Sequence, residues 1–394
     1  MRFLLLGQTN VTPGSFFQDY LAGIAQAARE LGHETVAFDS AQIGEASTAE
    51  REALYRLVLN HDIDVVIDPC CWGYALSEGR VWDGSGQGEA LFDSIDAAYV
   101  GLLCDQPYYQ PLQGIISNRL YAAVPDLTHA TQIALTLPQL QLRSTCFVPP
   151  AARVENDRSV PWSERDIDLL YVGNLQRDAL DRPWRQSPEA PRCDQLADRA
   201  LASPDVPLHE VMLDMVREEQ LVATPDDMTL WMQRVEYFLR ARLRQDAVHS
   251  AAASGLHMTI VGEGWEAHDR HHWPSTVTTR PPLSYEEFFV LAGRSKMALD
   301  ASTYLNGAND RIFNLLVNRC LPVTNARGWL EKEFAGQGMR FYSMTHLDDL
   351  GALLQQTLST PLADEMDAAR SVALEHHTWR QRLGTILNML RAPT

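Results

Sequence analysis

At 394 residues the chain has room for two or three domains. With 45% hydrophobic and 21% charged residues it can build sizeable cores and does not have the composition of a disordered polymer. A formal net charge of −18 argues against nonspecific association with nucleic acid or an anionic membrane face.

The chain opens with a short apolar run, Phe3 to Leu6, ended by Gly7-Gln8-Thr9-Asn10. It is too short for a signal peptide and reads as a buried first strand. No segment approaches the roughly 18 apolar residues of a membrane span. After Pro13-Gly14, residues Phe17 to Leu31 have helical periodicity, with Leu21, Ile24, Ala25 and Ala28 on one face. Strands are predicted at Thr35–Phe38, Asp64–Asp68 and Ala98–Cys104, with a helix over Thr48–Asn60. Pro149-Pro150 begins a polar stretch, 151–165, read as a linker. The rhythm then restarts with a strand at Asp168–Val172. A proline-rich insertion with short helices near 175–225 follows, then a long helix over Met228–Ser254. Strands come at Met258–Val261, Met297–Asp300 and Leu321–Thr324, and the tail from Ser371 to Arg391 reads as helical. Strand–helix alternation of this kind predicts two tandem α/β, Rossmann-like domains: 1–150 and 166–375, with a C-terminal helix in 376–394. Ligands of such sheets bind beyond the carboxyl ends of the strands. Attention therefore falls on the loops at Gly7, Asp68, Cys104, Gly173, Gly262 and Asp300.

Strand-end glycines at Gly7, Gly173, Gly262 and Gly264 let backbone approach a ligand, though tight turns need glycine as well. A G-x-G-x-x-G fingerprint and a G-x-x-x-x-G-K-S/T loop are both absent, which counts against a nicotinamide dehydrogenase and a P-loop NTPase. Two D-x-D triplets, Asp62-Ile-Asp64 and Asp166-Ile-Asp168, precede their strands. They read as solvated strand starts and not as a metal site. His268, His271 and His272 lack a cysteine partner and read as a polar loop. His376 and His377 read as surface or packing residues. The six cysteines contain no C-x-x-C pair, so neither zinc nor a disulfide framework is expected, and a cytoplasmic location is. The densest cluster is Asn306-Gly-Ala-Asn309-Asp310-Arg311-Ile-Phe-Asn314, opening an apolar helix. An arginine in a first helical turn opposes the macrodipole, so Arg311 makes sense if it and the helix end both face a diphosphate. The alternative is a surface arginine paired with Asp310.

Several pieces together resemble the CgeB-like, spore-maturation type glycosyltransferases of GT-B fold. They are Asp168-Leu-Leu-Tyr-Val-Gly-Asn174, Ile260-Val-Gly-Glu-Gly-Trp265, Leu283-Ser-Tyr-Glu-Glu287, Ser295–Asp300, Asn309–Phe313, Cys320–Thr324 and His377–Arg382. Thinner likeness appears at Cys104–Tyr108, Val124–Asp126 and Phe147–Pro150. The resemblance implies two Rossmann-like domains facing a central cleft, with a nucleoside diphosphate sugar on the second and the acceptor on the first. Candidate donor residues are Gly173, Asn174, Arg177, Gly262, Gly264, Asn306, Asn309, Asp310, Arg311 and Asn314. Acceptor-side candidates are Gly7, Gln8 and Asn10. Members usually carry a glutamate after Arg-x-Phe, and related retaining enzymes show E-x7-E; here Asn306 and Asn314 stand instead, and an amide accepts through one oxygen only.

The reading is therefore metal-independent glycosyl transfer, with no cofactor beyond the donor, to a protein, glycan or small-molecule hydroxyl. A sugar-nucleotide epimerase and an inactive binding protein of the same fold are the alternatives. For an inverting reaction a carboxylate from the first domain would deprotonate the acceptor, and Asp105 and Asp19 are the candidates. Asp19 could equally be a helix-start charge, and Asp105 could hold the Pro107 turn.

Overall fold

The computed structural model describes residues 1–8, 16–40, 47–74, 81–82, 88–89, 91–115, 117–266, 273–326, 328–334 and 337–392. Asn10 and the histidines at 268, 271 and 272 lie outside them. In chain order the first half runs β1 (Arg2–Gln8), α1 (Phe16–Glu30), β2 (Glu34–Ser40), α2 (Thr48–Asn60) and β3 (Val65–Pro69). An antiparallel pair, β4 (Val81–Trp82) and β5 (Gly88–Glu89), follows, then α3 (Leu91–Ser94), β6 (Ala98–Leu102), β7 (Leu120–Val124), α4 (His129–Thr136) and β8 (Leu142–Phe147). The second half opens with β9 (Ile167–Val172), α5 (Ala190–Ala202), α6 (Leu208–Glu218), α7 (Pro225–Ala252), β10 (Met258–Val261), β11 (Val277–Arg280), α8 (Tyr285–Arg294) and β12 (Ser295–Asp300). It closes with α9 (Asp310–Val317), β13 (Leu321–Thr324), α10 (Gly328–Phe334), β14 (Arg340–Phe341), α11 (Leu350–Leu358), α12 (Ala363–His376) and α13 (Trp379–Arg391).

Two compact units result. The first comprises Met1–Pro150 and Thr378–Thr394, the second Ala151–His377. The first sheet has the order β2-β1-β3-β6-β7-β8, all parallel. Its inner strands are apolar because both faces are covered: Phe3 to Leu6 and Val65 to Ile67 are buried. The strand β1 runs on through Gly7 and Gln8, where the sequence suggested a loop. α2 starts on a reciprocal cap, Ser47 with Glu50.

The tail is two helices and not one. Thr378 and Gln381 form a capping box that starts α13 afresh after α12 ends at His376. α13 packs on α1 within the first unit. Trp379 meets Tyr20 edge-on at 4.8 Å. A Cβ on Gly23 would lie 2.0 Å from Trp379 Cδ1, so only glycine admits the indole. Arg382 Nε donates to the carbonyl of Pro149 at 2.9 Å.

The second sheet has the order β11-β10-β9-β12-β13-β14, again all parallel. The stretch 151–165, read as a linker, is folded into this unit. Arg165 is buried and donates to the carbonyls of Ser295, Asn318 and Arg319. Asn156 donates to Asn314 Oδ1 at 3.0 Å. The bonds to Asn318 and Arg319 satisfy carbonyls past the end of α9, which a solvated linker would leave to water. In each sheet the chain adds strands on one side and then returns to the other. The reversal lies between β1 and β3 in the first unit, and between β9 and β12 in the second. Crevices at the carboxyl ends of such neighbours are where doubly wound sheets bind ligands.

Candidate functional site

In the second unit the β9–β12 crevice collects charge. β12 ends at Asp300, which is buried at 1% exposure. Its carboxylate accepts from Asn309 Nδ2 at 2.7 Å, Arg311 Nη2 at 3.1 Å and Thr324 Oγ1 at 2.9 Å. Asn309 also caps α9, its Oδ1 accepting from the Arg311 N–H at 3.0 Å. Asp300 thus sets both the start of α9 and the position of the arginine. The alternative of a surface pair with Asp310 is corrected: the partner of Arg311 is the buried Asp300 across the loop, and Asp310 accepts from Tyr285 Oη at 3.2 Å. Burial works against the charge of Arg311, but Asp300 and Asp310 beside it outweigh burial and hold it firmly protonated.

Three residues that the sequence reading did not single out complete the crevice. Glu236, Arg240 and Arg244 recur every four residues on α7 and so share one face. Glu236 is buried; its Oε1 accepts from Arg240 Nε at 2.8 Å and from Thr303 Oγ1 at 2.9 Å. Thr303 stands just beyond the carboxyl end of β12. Arg244 reaches the loop after β9, with Nη1 3.3 Å from the carbonyl of Asn174 and 3.5 Å from Gln176 Oε1, both long for hydrogen bonds. Arg240 is matched by Glu236 and Arg311 by Asp300, but Arg244 is within ion-pair distance of no carboxylate among the described residues. Burial lowers its pKa, and the charges of Arg240 and Arg311 act in the same direction. A half-buried cation beside two others is unfavourable unless an anion joins it. The E-x-x-x-R-x-x-x-R spacing was visible in the sequence; what it faces was not.

The other donor-side candidates divide. Gly262 and Gly264 have φ of 140° and 87°, and a Cβ on them would lie 2.4 Å from the carbonyl O of Gly173 and 2.2 Å from that of Leu175. They are glycines because the loops after β9 and β10 pack backbone on backbone, knitted by Leu175 N–H to the Glu263 carbonyl (2.9 Å) and by Trp265 Nε1–H to the Gly173 carbonyl (2.7 Å). Asn174 Oδ1 accepts from the Glu263 N–H at 3.0 Å. Arg177 is exposed and opens a 3₁₀ turn. Asn314 is buried and committed inside the unit: it accepts from Asn156 and donates to Tyr285 Oη at 2.8 Å and to the Asp310 carbonyl at 3.0 Å. Asn306 lies against Gly328, where a Cβ would be 2.2 Å from its Oδ1. The D-x-D aspartates stand at strand starts: Asp166 pairs with Arg294, and Asp168 pairs with Lys296 at 2.8 Å. His377 is buried against Phe313, Phe334 and Trp329.

In the first unit Gly7 is not open to a ligand, since a Cβ there would lie 2.1 Å from Asp39 Oδ1. Gln8 pairs with Ser40 as the last residue of β1. Asp19 stands in the first turn of α1. Asp105 is half-buried after β6, and its Oδ1 accepts from the Gln106 N–H at 2.7 Å. Asp68, at the end of β3, is buried and accepts from the N–H groups of Gly73 (3.0 Å) and Tyr74 (3.1 Å) and from Tyr99 Oη. Burial pushes its pKa up to about 7, more than those donors pull it down.

Residues 240–388 match the family model described as glycosyl transferase-like. Solved structures match over almost the whole chain. Sucrose-phosphate synthase from Thermosynechococcus elongatus is 9% identical, with a TM-score of 0.59 and 99% of each chain covered. Anabaena HepE in complex with UDP and glucose is 11% identical, with a TM-score of 0.55 and 99% of each chain covered. An α-glucosyltransferase in complex with UDP-glucose and DNA containing an abasic site is 10% identical, with a TM-score of 0.56 and 100% and 99% covered. No curated protein matches the chain. Two parallel six-stranded sheets in Rossmann-like units make this the GT-B fold of glycosyltransferases.

Proposed function

We propose that the chain is a glycosyltransferase that takes a sugar from a nucleoside diphosphate sugar and passes it to a hydroxyl or other acceptor on a protein, glycan or small molecule. The observation that carries this reading is the unmatched Arg244, beside Arg311 and the start of α9, at the β9–β12 crevice. Negative charge grows on the departing diphosphate, and fixed cations with free helix N–H groups stabilise it without reorganising. Those groups can bear the charge that a divalent cation bears in other transferases, so the reaction is read as metal-independent. The matched family model and the UDP complexes among the structural neighbours support the donor class. The CgeB-like group, a cytoplasmic location and an acceptor base at Asp105 or Asp19 are the finer parts of the proposal. The net charge of −18 supports an acceptor other than nucleic acid.

Calorimetric titration with UDP, GDP and their sugars tests the donor site. Wild type is expected to bind one nucleoside diphosphate series. Arg244→Gln should weaken it about ten- to a hundredfold, as for loss of a charge-assisted hydrogen bond. The unliganded variant should melt no lower than wild type, because an unmatched cation has been removed. Normal affinity in Arg244→Gln would place the diphosphate elsewhere. Turnover abolished by chelator and restored by manganese would overturn the metal-independent reading. One observation favours a second reading, a donor-binding protein without turnover: Asn314, where the glycosyltransferases it resembles usually carry a glutamate, is fully engaged inside the unit. Donor binding with neither transfer nor hydrolysis would decide for it.

A further inference from the structure

Glu236 is a buried carboxylate only half used. Oε1 holds Arg240 and Thr303, while Oε2 is buried with no hydrogen-bond partner among the described residues. A carboxylate offers about four acceptor positions, and an unmade one in a buried site is costly. An apolar residue would carry no such oxygen at this point of α7, whose neighbours Met232, Val235 and Leu239 are core residues. Its place in the fold says what the oxygen is for. Through Oε1 and Thr303 the carboxylate touches the loop leaving β12, and it lies within electrostatic reach of Arg244, which touches the loop leaving β9. The carboxylate therefore stands beside a cationic crevice, with one acceptor oxygen to spare.

Building on the donor site proposed above, we infer that Glu236 Oε2 receives a hydroxyl of the sugar attached to the diphosphate, so that Glu236 discriminates the sugar while Arg244 and Arg311 hold the phosphates. A free anion would be repelled by this oxygen. A ligand that carries both negative charge and neutral hydroxyl donors suits a site with two or more arginines and one orphan carboxylate oxygen. Arg240 and Thr303 are positioning residues: they fix Oε1 and thereby aim Oε2. Because Oε2 is buried, receiving the hydroxyl requires the irregular loop between β12 and α9, which carries Thr303, to move.

The test compares each sugar nucleotide with its own nucleoside diphosphate. UDP-glucose, UDP-galactose, UDP-N-acetylglucosamine and GDP-mannose are titrated into wild type, Glu236→Gln and Glu236→Asp, beside UDP and GDP. In wild type one sugar nucleotide should bind more tightly than its parent diphosphate. Glu236→Gln, which turns a donor toward the hydroxyl, should lose roughly tenfold or more of that sugar nucleotide's affinity, with the parent diphosphate unchanged or tighter because a nearby negative charge is gone. Glu236→Asp keeps the charge but withdraws it, and should lose the same preference if Glu236→Gln fails to fold. Equal weakening of sugar nucleotide and diphosphate would mean that Glu236 acts through the arginines alone, and would overturn the inference. So would a wild type that binds diphosphates but prefers no sugar. A wild type that binds no nucleotide would bring down the donor site itself, a different failure.

Discussion

Arg311→Ala is expected to lower turnover on the order of 10²-fold and also to destabilise the second unit by about 3 kcal/mol. The two losses have separate causes. The first follows from removing a preorganised donor near the leaving diphosphate. The second follows from Asp300, at 1% exposure, which would keep its bonds from Asn309 and Thr324 but lose its cation. Breaking a buried pair by deleting one partner is costly because the other charge stays buried. Nothing local to a helix start calls for an arginine, so this stabilising role is not written in the adjacent sequence. A double variant separates the two roles. Adding Asp300→Asn to Arg311→Ala should recover most of the melting temperature, because no unmatched charge remains, while turnover stays low. If Arg311→Ala melts like wild type, the Asp300 pair does not hold the crevice. If the double variant turns over normally, the guanidinium does not serve the diphosphate.

What could be read in advance follows from how local each cause is. The strands at Met258–Val261 and Leu321–Thr324 and the helix Thr48–Asn60 were legible residue for residue, because an apolar run or a Ser47–Glu50 cap is written in adjacent residues. β8 was not read at all. It is an edge strand with most residues half-buried, so it lacks the continuous apolar run of an inner strand such as β3. The break at His377-Thr378 was legible in principle, since Thr378 and Gln381 have capping spacing, but two helices in a row read as one under a single periodicity. The site was less legible than the fold. Arg311 and Asn309 stood out, yet their common partner Asp300 sits on the preceding strand. The α7 stripe of Glu236, Arg240 and Arg244 acquires meaning only when β9 and β12 are neighbours, and that adjacency follows from the sheet's reversal, not from any stretch of sequence.

The same non-local logic makes Asp68 the strongest source of pH dependence expected in the first unit. Tyr99, on the next strand, and the turn at Gly73 and Tyr74 point three donors at it, which favours the ionised form, but complete burial disfavours that form more and pushes its pKa up to about 7 from an ordinary 3.8. The sign follows from proton counting. Between about pH 4 and pH 7 the folded state holds a proton on Asp68 that the unfolded chain has released, so stability falls as pH rises through that window and is level above it. A shift of this size corresponds to roughly 4 kcal/mol. Other carboxylates, such as Asp157 and Asp205, have lowered pKa values, so their contribution rises as pH climbs from the acid side and partly masks the effect in wild type. Asp68→Asn removes the titration and keeps the shape. Denaturant unfolding of both proteins from pH 4 to pH 8 should therefore show the wild type losing stability relative to Asp68→Asn by a few kcal/mol across the window, with the difference constant above about pH 7.5. A flat difference, or one that favours the wild type as pH rises, would mean that the three donors win over burial and that Asp68 is ionised throughout.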